Sequence, residues 1–363
     1  MTIMTTTPAA RYDAAALLDF TRAVLAALDL AEADRQRAAE AIWQASLRGV
    51  DSHGIRLLPH YAAAVRAGRI LPRPERRVER RSPTTALLHA GHGLGHAAAA
   101  AAMDLAVATA REHGSGFVAV ADSSHCGAMA YYAELAADRD MIGLAFTHAT
   151  ARVVPPGAAA PFLGTNPFCF SAPMQDEGPL TYDAATSLLP FNKVRAYGEA
   201  GRPLPEGCAT DAAGRPTRDP AAAAFLQPFG GYKGFGVGLF VEILCALLPG
   251  VPFGPGVSDM FSADLSGHRR IGHFFGAIDI AGFTDPAAFR ARLRNLALAV
   301  RGLPKAEGGE DSAPGAMVPG DPEKRLAAER LARGIPLPEA VAQRLAGLGR
   351  ELGVAFPQPR REP

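Results

Sequence analysis

The chain has 363 residues, of which 48% are hydrophobic and 20% charged, and its 37 basic and 36 acidic side chains give a formal net charge of +1. A chain of this length exceeds what one hydrophobic core usually supports, so we expect two or three packed subdomains. The nearly balanced charge argues against nucleic acid or an anionic membrane surface as the main partner.

The sequence also argues against secretion and membrane insertion. The first twelve residues contain no apolar segment of the kind a signal peptide needs. The most apolar stretch, residues 236–248, is too short to span a bilayer and contains Glu242. The four cysteines are scattered without a C-x-x-C pair, which favours reduced thiols. We therefore expect a soluble cytoplasmic protein with no membrane partner.

In chain order, the periodicity of apolar residues predicts helices first, strands in the middle and helices again at the end. Two amphipathic helices fill the first fifty residues, and a third follows the polar break at residues 51–54. An alanine-rich helix ends near His113. The later helices are expected at 131–139, 235–248 (buried), 286–303, 322–333 and 338–352, and the strands at 86–89, 117–120, 142–146, 168–170, 180–182 and 274–280.

This distribution predicts an α/β fold with a helical domain assembled from both termini. We divide the chain into residues 1–115, an N-terminal helical part with a hairpin, residues 116–285, a central α/β core, and residues 286–363, C-terminal helices that pack with the N-terminal part. An ordinary Rossmann domain is not supported, because the glycines of residues 91–96 (GHGLGH) miss the G-x-G-x-x-G spacing by one position.

Two histidines lie in polar breaks between apolar elements. His53 follows a helix in the segment DSHG, and His125 follows a strand in the segment DSSHCG. Ligands and reactive side chains commonly lie beyond the carboxyl end of a strand, and a glycine beside each histidine lets a ligand approach the backbone. A purely structural interpretation, with serines capping helices and histidines donating to carbonyls, explains the pairs about as well.

Three further segments carry candidate site residues. Residues 164–167 (GTNP) form a turn, residues 183–187 (DAATS) end a strand, and residues 230–234 (GGYKG) open a helix. Free N–H groups and one cation at a helix start can hold a phosphate, although a surface helix start explains the last segment almost as well. No metal site is expected, since His92 and His96 lie in a glycine-rich turn without a carboxylate partner.

Two interpretations from other functional classes can be formulated. A serine hydrolase would use Ser52 with His53 or Ser124 with His125, but adjacent side chains are expected to diverge, and no G-x-S-x-G elbow is present. The second interpretation is a binding protein without catalytic activity. The presence of both histidines argues against it.

Taken together and in this order, the DSHG, SSHCG, GTNP, DAATS and GGYKG segments resemble the malate/L-lactate dehydrogenase family, which includes ureidoglycolate and sulfolactate dehydrogenases and cyclic ketimine reductases. The resemblance extends over about residues 13–337. It implies a non-Rossmann, NAD(P)-binding mixed sheet and a homodimer with active sites near the subunit interface.

The resemblance also implies the reaction. We expect hydride transfer between NAD or NADP and a small 2-hydroxy or 2-oxo carboxylic acid. The alternative is reduction of cyclic or N-alkyl 2-imino acids. By matching position, His125 is the general acid/base, while His53 and Ser52 line the substrate site and donate the proton in the ketimine reductases. The matching cofactor-binding residues are Asp183, Ala184, Ala185, Lys233 and Gly234, with Pro319, Gly320 and Asp321 closing over the cofactor.

At the expected substrate carboxylate site this chain departs from many relatives. They place an arginine four residues after the first histidine, whereas this chain has Leu57 there and Arg56 one position earlier. Ketimine-reducing relatives carry an acid where this chain has Lys193. We therefore predict Arg56 and Lys193 as substrate-binding residues, and both favour hydroxy-acid or oxo-acid chemistry over imine reduction.

Overall fold

A computed structural model describes residues 9–262, 264–305 and 315–360. Its helices are α1 (Ala14–Ala27), α2 (Glu32–Leu47), α3 (Leu58–Arg66), α4 (Gly95–His113), α5 (Ala130–Ala137), α6 (Phe191–Glu199), α7 (Tyr232–Glu242), α8 (Pro286–Arg301), α9 (Asp321–Arg333) and α10 (Glu339–Leu352). Its strands are β1 (Ala10–Tyr12), β2 (Arg77–Ser82), β3 (Thr85–His89), β4 (Ser115–Ser123), β5 (Met141–Thr147), β6 (Phe168–Ala172), β7 (Leu180–Ala184), β8 (Ala209–Thr210), β9 (Pro216–Thr217), β10 (Phe225–Leu226), β11 (Ile271–Asp279) and β12 (Ile335–Leu337).

The central layer is a seven-stranded mixed sheet with the strand order β2-β3-β4-β11-β5-β6-β7. Only the β3–β4 pair is parallel; every other neighbouring pair is antiparallel. The late strand β11 lies between β4 and β5, with Gly276 opposite both Phe117 and Leu144. The absence of successive parallel β-α-β units in this sheet explains why no Rossmann fingerprint occurs in the sequence.

Helices α4 and α5 cover one face of this sheet and form the main core with it. The buried face of α4 is made largely of alanine, which lets its backbone approach the strands closely. Two strand glycines are required by this approach: a Cβ on Gly116 would lie 2.3 Å from the Ala106 carbonyl oxygen, and one on Gly143 would lie 2.1 Å from that of Ala133. The core is therefore thin and tightly packed at this layer.

The two termini join in one helical domain, as predicted. β1 pairs antiparallel with β12, and α10 packs against α1 and α3 in a second hydrophobic core. Arg330 of α9 donates two hydrogen bonds to the carboxylate of Asp51, at 2.6 and 3.0 Å, and so fastens α9 to the DSHG segment. The α/β class with a mixed sheet and this helical domain is confirmed. The boundaries at residues 115 and 285 stay a prediction, and α8 packs against Met174 and Leu180 beside the sheet.

The prediction of a buried helix over residues 235–248 is wrong about burial. α7 and the π-helical turn Ile243–Leu247 do form a helix there, and Cys245 and Ala246 are buried. Leucine, phenylalanine and isoleucine side chains on its other side are 40–58% exposed: Leu239, Phe240, Ile243, Leu247 and Leu248. An apolar run does not distinguish a core helix from one with an apolar surface, which is why the prediction failed.

A small lobe built on residues 153–163 and 189–229 packs beside the sheet. It contains α6 and the three-stranded sheet β10-β8-β9, with its own apolar cluster around Leu163, Val194 and Leu226. None of the helices in the described ranges combines the length and apolar composition needed to cross a bilayer.

Candidate active site

His125 lies in the loop that follows β4. The side chain of Ser124 fixes this loop to the start of α4, because its Oγ accepts the Gly95 N–H at 2.9 Å and donates to the Gly93 carbonyl at 3.0 Å. Ser123, at the end of β4, lies 2.9 Å from Nε2 of His273 through its Oγ. Both serines are therefore structural, and they hold His125 at the carboxyl end of β4.

His53 ends a short 3₁₀ turn, Asp51–His53, directly after α2. The glycine that follows packs against α2, since a Cβ on Gly54 would lie 2.0 Å from Ser46 Oγ. Gly127 has φ of +74°, and a Cβ there would lie 2.7 Å from His96 Nε2. Protein atoms therefore approach both glycines closely.

The fold brings His53 and His125 together although they are far apart in the chain. Their rings are stacked, with centroids 5.5 Å apart and planes inclined by 25°. Tyr61 of α3 is similarly stacked with His125, at 6.1 Å and 24°. Its Oη lies 2.8 Å from His125 Nδ1, within hydrogen-bond distance. A tyrosine hydroxyl both donates and accepts, so this contact holds the ring whichever tautomer is present.

Burial keeps these imidazoles neutral at pH 7. Removal from solvent lowers the pKa of His125 well below its ordinary value, and the nearby His53 and His96 lower it further. Removal from solvent also lowers the pKa of His53 to about 4 and raises the pKa of the Tyr61 hydroxyl. A neutral imidazole has a lone pair and can accept a proton, as a general base must.

His96 belongs to the same cluster and was missed as a site residue. Its ring lies 5.1 Å from that of Tyr61 and 6.2 Å from that of His125, and both of its nitrogens are buried without a hydrogen-bond partner among the described residues. In the sequence, His96 was considered only for its i, i+4 spacing from His92, and no metal site was expected there. Within the described ranges no three His, Cys, Asp or Glu side chains are arranged to hold a metal ion.

The expected divergence of Ser52 from His53 is wrong. Ser52 Oγ lies 2.8 Å from His53 Nδ1, although the two residues are adjacent in the 3₁₀ turn. This pair does not make a hydrolase triad, since the neighbouring carboxylate of Asp51 is engaged by Arg330 and does not orient the imidazole. Ser124 does diverge from His125, as expected.

Tyr61→Phe tests the hydrogen bond that orients His125. We expect kcat to fall by roughly 3- to 10-fold, because a neutral hydrogen bond of this kind is worth about 0.5–1.5 kcal/mol. Steady-state kinetics measures the loss, with Tyr197→Phe, at a partly buried tyrosine of α6 in the small lobe, as the matched control. An unchanged kcat in Tyr61→Phe would show that the hydroxyl does not orient the ring.

The residues expected to bind the cofactor lie partly on β7. Asp183 and Ala184 end this strand, and Ala185 follows it. The Asp183 carboxylate accepts the N–H of Ala130 at 2.9 Å, at the start of α5 and just beyond the His125 loop. The structure thereby connects the DAATS segment to the segment that carries His125.

Lys233 and Gly234 lie in the first turn of α7. Gly230 and Gly231 precede them with φ of +58° and +64°, and a Cβ on either would meet no atom within 4 Å. Lys233 is exposed. Bare glycine backbone, a helix N-terminus and a lysine form a surface that fits the phosphates of a dinucleotide.

The turn before β6 connects α7 with the DAATS segment. Asn166 Nδ2 donates to the Gly238 carbonyl at 3.0 Å and to the buried Glu242 carboxylate at 2.7 Å. Thr186 Oγ1 donates to the Thr165 carbonyl at 3.0 Å. The GTNP motif therefore has a structural function, holding the two expected cofactor-binding segments together.

The segment Pro319 to Asp321 lies at the start of α9. A Cβ on Gly320, whose φ is +93°, would lie 3.2 Å from the Thr181 carbonyl oxygen of β7. The Asp321 carboxylate accepts two hydrogen bonds from Arg301, at 3.0 and 2.6 Å, and one from the Val318 N–H. This carboxylate is thus engaged within the chain.

The two cations expected to bind the substrate carboxylate are both exposed. Arg56 lies on the turn Ile55–Leu57, where Leu57 is the buried residue, and Lys193 lies on α6 in the small lobe. No hydrogen bond or ion pair joins either to His53 or His125 within the ranges that the structure describes.

Comparison with known proteins places this chain in a family. The family model described as malate/L-lactate dehydrogenase matches residues 12–346. An L-sulfolactate dehydrogenase from Methanothermobacter thermautotrophicus is 34% identical over 91% of this chain and 94% of its own length. The malate dehydrogenase structure from Entamoeba histolytica superimposes with a TM-score of 0.89 at 27% identity, over 96% of this chain and all of that one.

A reductase structure is similar as well. The delta1-piperideine-2-carboxylate reductase from Pseudomonas syringae has a TM-score of 0.81 at 29% identity, over 93% of this chain and 99% of that one. The predicted class of NAD(P)-dependent oxidoreductase is confirmed, and the chain belongs to the malate/L-lactate dehydrogenase family.

Proposed function

We propose that this protein transfers a hydride between NAD or NADP and C2 of a small 2-hydroxy or 2-oxo carboxylic acid, with His125 as general acid/base. The observation that carries the proposal is the position of His125, whose ring packs near those of His53 and Tyr61 and whose Nδ1 lies within hydrogen-bond distance of Tyr61 Oη. The relatives named for malate and sulfolactate support a small hydroxy acid as the substrate.

The bound nicotinamide supplies the hydride acceptor or donor, and the protein supplies orientation and proton transfer. In the oxidative direction Nδ1–H of neutral His125 donates to Tyr61 Oη, which leaves the Nε2 lone pair to take the hydroxyl proton of the substrate. In the reductive direction the protonated ring returns that proton to the substrate oxygen. His53 and Ser52 line the substrate site beside it.

Asp183, Ala184 and Ala185 with Lys233 and Gly234 form the cofactor site in this proposal, and Pro319, Gly320 and Asp321 border it. The connection from Asp183 to the start of α5 supports this placement, since it joins the site to the His125 loop. The exposed Lys233 beside two open glycines supports phosphate binding there.

Imine reduction is the second candidate, and one contact favours it. Ser52 lies within hydrogen-bond distance of His53, the pair to which proton donation is assigned in ketimine reductases, and a piperideine-carboxylate reductase is among the structural neighbours. Lys193, which stands where those relatives have an acid, favours the first candidate.

A substrate panel distinguishes these candidates. Absorbance at 340 nm follows NADH or NADPH with 2-oxo acids alone, then with an amine or a cyclic 2-imino acid present. Turnover of a 2-oxo acid without amine, and of the matching 2-hydroxy acid with NAD⁺ or NADP⁺, is the expected result. Activity confined to imines would favour the second candidate, and no turnover with any acid or imine would contradict both.

The lowered pKa of His125 predicts the pH dependence of the oxidative reaction. Neutral His125 is the active base, so kcat/KM for hydroxy-acid oxidation should stay level above pH 7 and fall only below pH 6.5, as the ring becomes protonated. The reductive reaction needs the protonated ring and should instead become faster towards acidic pH. A pH profile of both directions measures this, and an oxidative limb centred above pH 7 would contradict it.

We also propose a cytoplasmic homodimer. The exposed apolar side chains of α7 and the π-helical turn support burial against a second subunit, since such patches commonly mark interfaces. Light scattering coupled to gel filtration should give twice the mass of one chain. Four unpaired cysteines, all buried, support a reducing compartment.

A further inference from the structure

The segment that leads into β11 lies against the His125 loop. Ile271, the first residue of β11, is opposite Ser123, two positions before His125. Arg270 Nε donates to the Asp122 carboxylate of the same loop at 2.7 Å. Arg269 is therefore at the edge of the sheet where His125 is found.

Arg269 is a buried cation without an acidic partner. It is 7% exposed, and its donors reach only neutral groups: the Ser258 carbonyl, at 3.2 Å from Nε and 2.9 Å from Nη2, and Thr150 Oγ1, at 3.0 Å from Nη2. No carboxylate oxygen of a described residue lies within 4.0 Å. Buried charges are ordinarily paired with an opposite charge. The carboxylate of Asp259 acts on Arg269 from a distance, but it forms its ion pair with Arg152, at 3.4 Å, which leaves room for an anion beside Arg269.

The neighbouring Arg69 shows the contrast. Its guanidinium is also buried, but all three nitrogens donate to groups of the same loop: the carbonyls of Gly267, Asp259, Met260 and Asp264 and the hydroxyl of Ser262. Arg69 thus shapes the loop before β11. Arg269 has Nη1 without a partner among the described residues, and this nitrogen is not among the fully enclosed unpartnered atoms.

The charge of Arg269 acts on the catalytic cluster. Burial and the neighbouring histidines lower the pKa of His125 most, and the charge of Arg269 lowers it further. Burial also lowers the pKa of His60, which precedes Tyr61 on α3, and the charge of Arg269 adds to that effect. Burial lowers the pKa of Arg269 itself to about 10, so it stays charged at neutral pH. The charge of Arg269 therefore reaches the surroundings of His125, in keeping with the position of Arg269 beside the start of β11, and would attract an anionic substrate there.

We infer that Arg269 binds the carboxylate of the substrate through Nη1 and so holds C2 beside His125. This inference rests on the proposed function and names the substrate-binding cation of that site. Charge-assisted hydrogen bonds between arginine and carboxylate are the strongest of the ordinary side-chain contacts. Arg269 would supply the cation that many relatives place four residues after the first histidine and that Leu57 cannot provide.

Arg269→Met and Arg269→Lys test the inference, with Arg81→Met as the matched control, because this arginine of β2 is 84% exposed and lies outside the site. We expect KM for the 2-oxo acid identified by the panel to rise about 10- to 100-fold in Arg269→Met, with a smaller change in kcat. Arg269→Lys should be intermediate, because lysine keeps the charge without the planar fork. Arg81→Met should stay within about twofold of the wild type.

Calorimetric titration of the NAD(P)H complex with oxalate, a dianion that resembles a 2-oxo acid, separates binding from catalysis. Arg269→Met should weaken oxalate binding by the same 10- to 100-fold and leave the Kd for NAD(P)H unchanged. A melting temperature near that of the wild type excludes a merely structural effect. An unfolded Arg269→Met would transfer the test to Arg269→Lys, whose KM and oxalate Kd must then rise with unchanged NAD(P)H binding.

The two proposals fail in different ways. Unchanged KM and oxalate Kd in a folded Arg269→Met would overturn the role of Arg269 while the proposed function stands. A wild type that turns over no acid but binds oxalate through Arg269 would overturn the function and leave the anion site. A wild type that binds no oxalate would overturn the anion site.

Discussion

Replacing His125 by alanine should lower kcat by ~10²–10⁴-fold, the usual worth of a general acid/base, while the Kd for NAD(P)H stays near that of the wild type. The loss is large because the hydride leaves or joins C2 only as the substrate oxygen loses or gains a proton. His53 does not replace it, since its own Nδ1 lies beside Ser52 and its ring is displaced from that of His125 by 5.5 Å.

The measurement is steady-state turnover in both directions, combined with fluorescence titration of the reduced cofactor. His113→Ala is the matched control, because this half-exposed histidine at the end of α4 lies outside the cluster. A near-normal kcat in His125→Ala would remove the histidine from the mechanism. Loss of cofactor binding together with turnover would instead show that His125 supports the cofactor site.

Arg48→Met should lower the free energy of unfolding by about 3–5 kcal/mol, because it leaves Glu134 as an uncompensated buried charge. The two side chains form an ion pair and are only 12% and 10% exposed. Glu134 also accepts hydrogen bonds from Gln44 at 3.0 Å and Thr181 at 2.8 Å. This cluster joins α2 of the helical domain to α5 and β7, so its loss should loosen the docking of the two layers.

Urea unfolding measures the effect, with Arg215→Met as the matched control. Arg215 forms an ion pair with Asp211 as well, but its side chain is 79% exposed, and such pairs are worth about 1 kcal/mol or less. Equal losses in the two variants would show that Glu134 keeps enough solvent or other partners to tolerate the missing arginine.

Local patterns in the sequence predict most of the secondary structure. The spacing of Leu17, Val24 and Leu25 describes α1, and the short apolar runs describe β4 and β5, because these features depend on neighbouring residues only. The order of five motifs identified the family, although each motif alone is common. Local patterns failed to predict the burial of α7, because its apolar side chains are partly exposed instead of packing into the core.

The assembly of the site depends on contacts between residues far apart in the chain. Tyr61, His96 and Arg269 carry no local signature: they matter because α3, α4 and the segment before β11 converge on the loop after β4. From the sequence, the carboxylate-binding cation was expected near His53, where relatives have it. The proposed cation, Arg269, is instead a buried arginine far from His53 in the sequence. The close contacts of Gly54 with Ser46 and of Gly127 with His96 likewise join residues that local patterns do not connect.

The central claim is that His125 faces the carbon that exchanges hydride with the nicotinamide. A crystal structure of the protein with NADH or NADPH and oxalate tests it most directly. We predict nicotinamide C4 at about 3–3.5 Å from the oxalate carbon that takes the place of C2, and the adjacent oxygen within hydrogen-bond distance of His125. A nicotinamide ring bound far from both His125 and His53 would contradict the account.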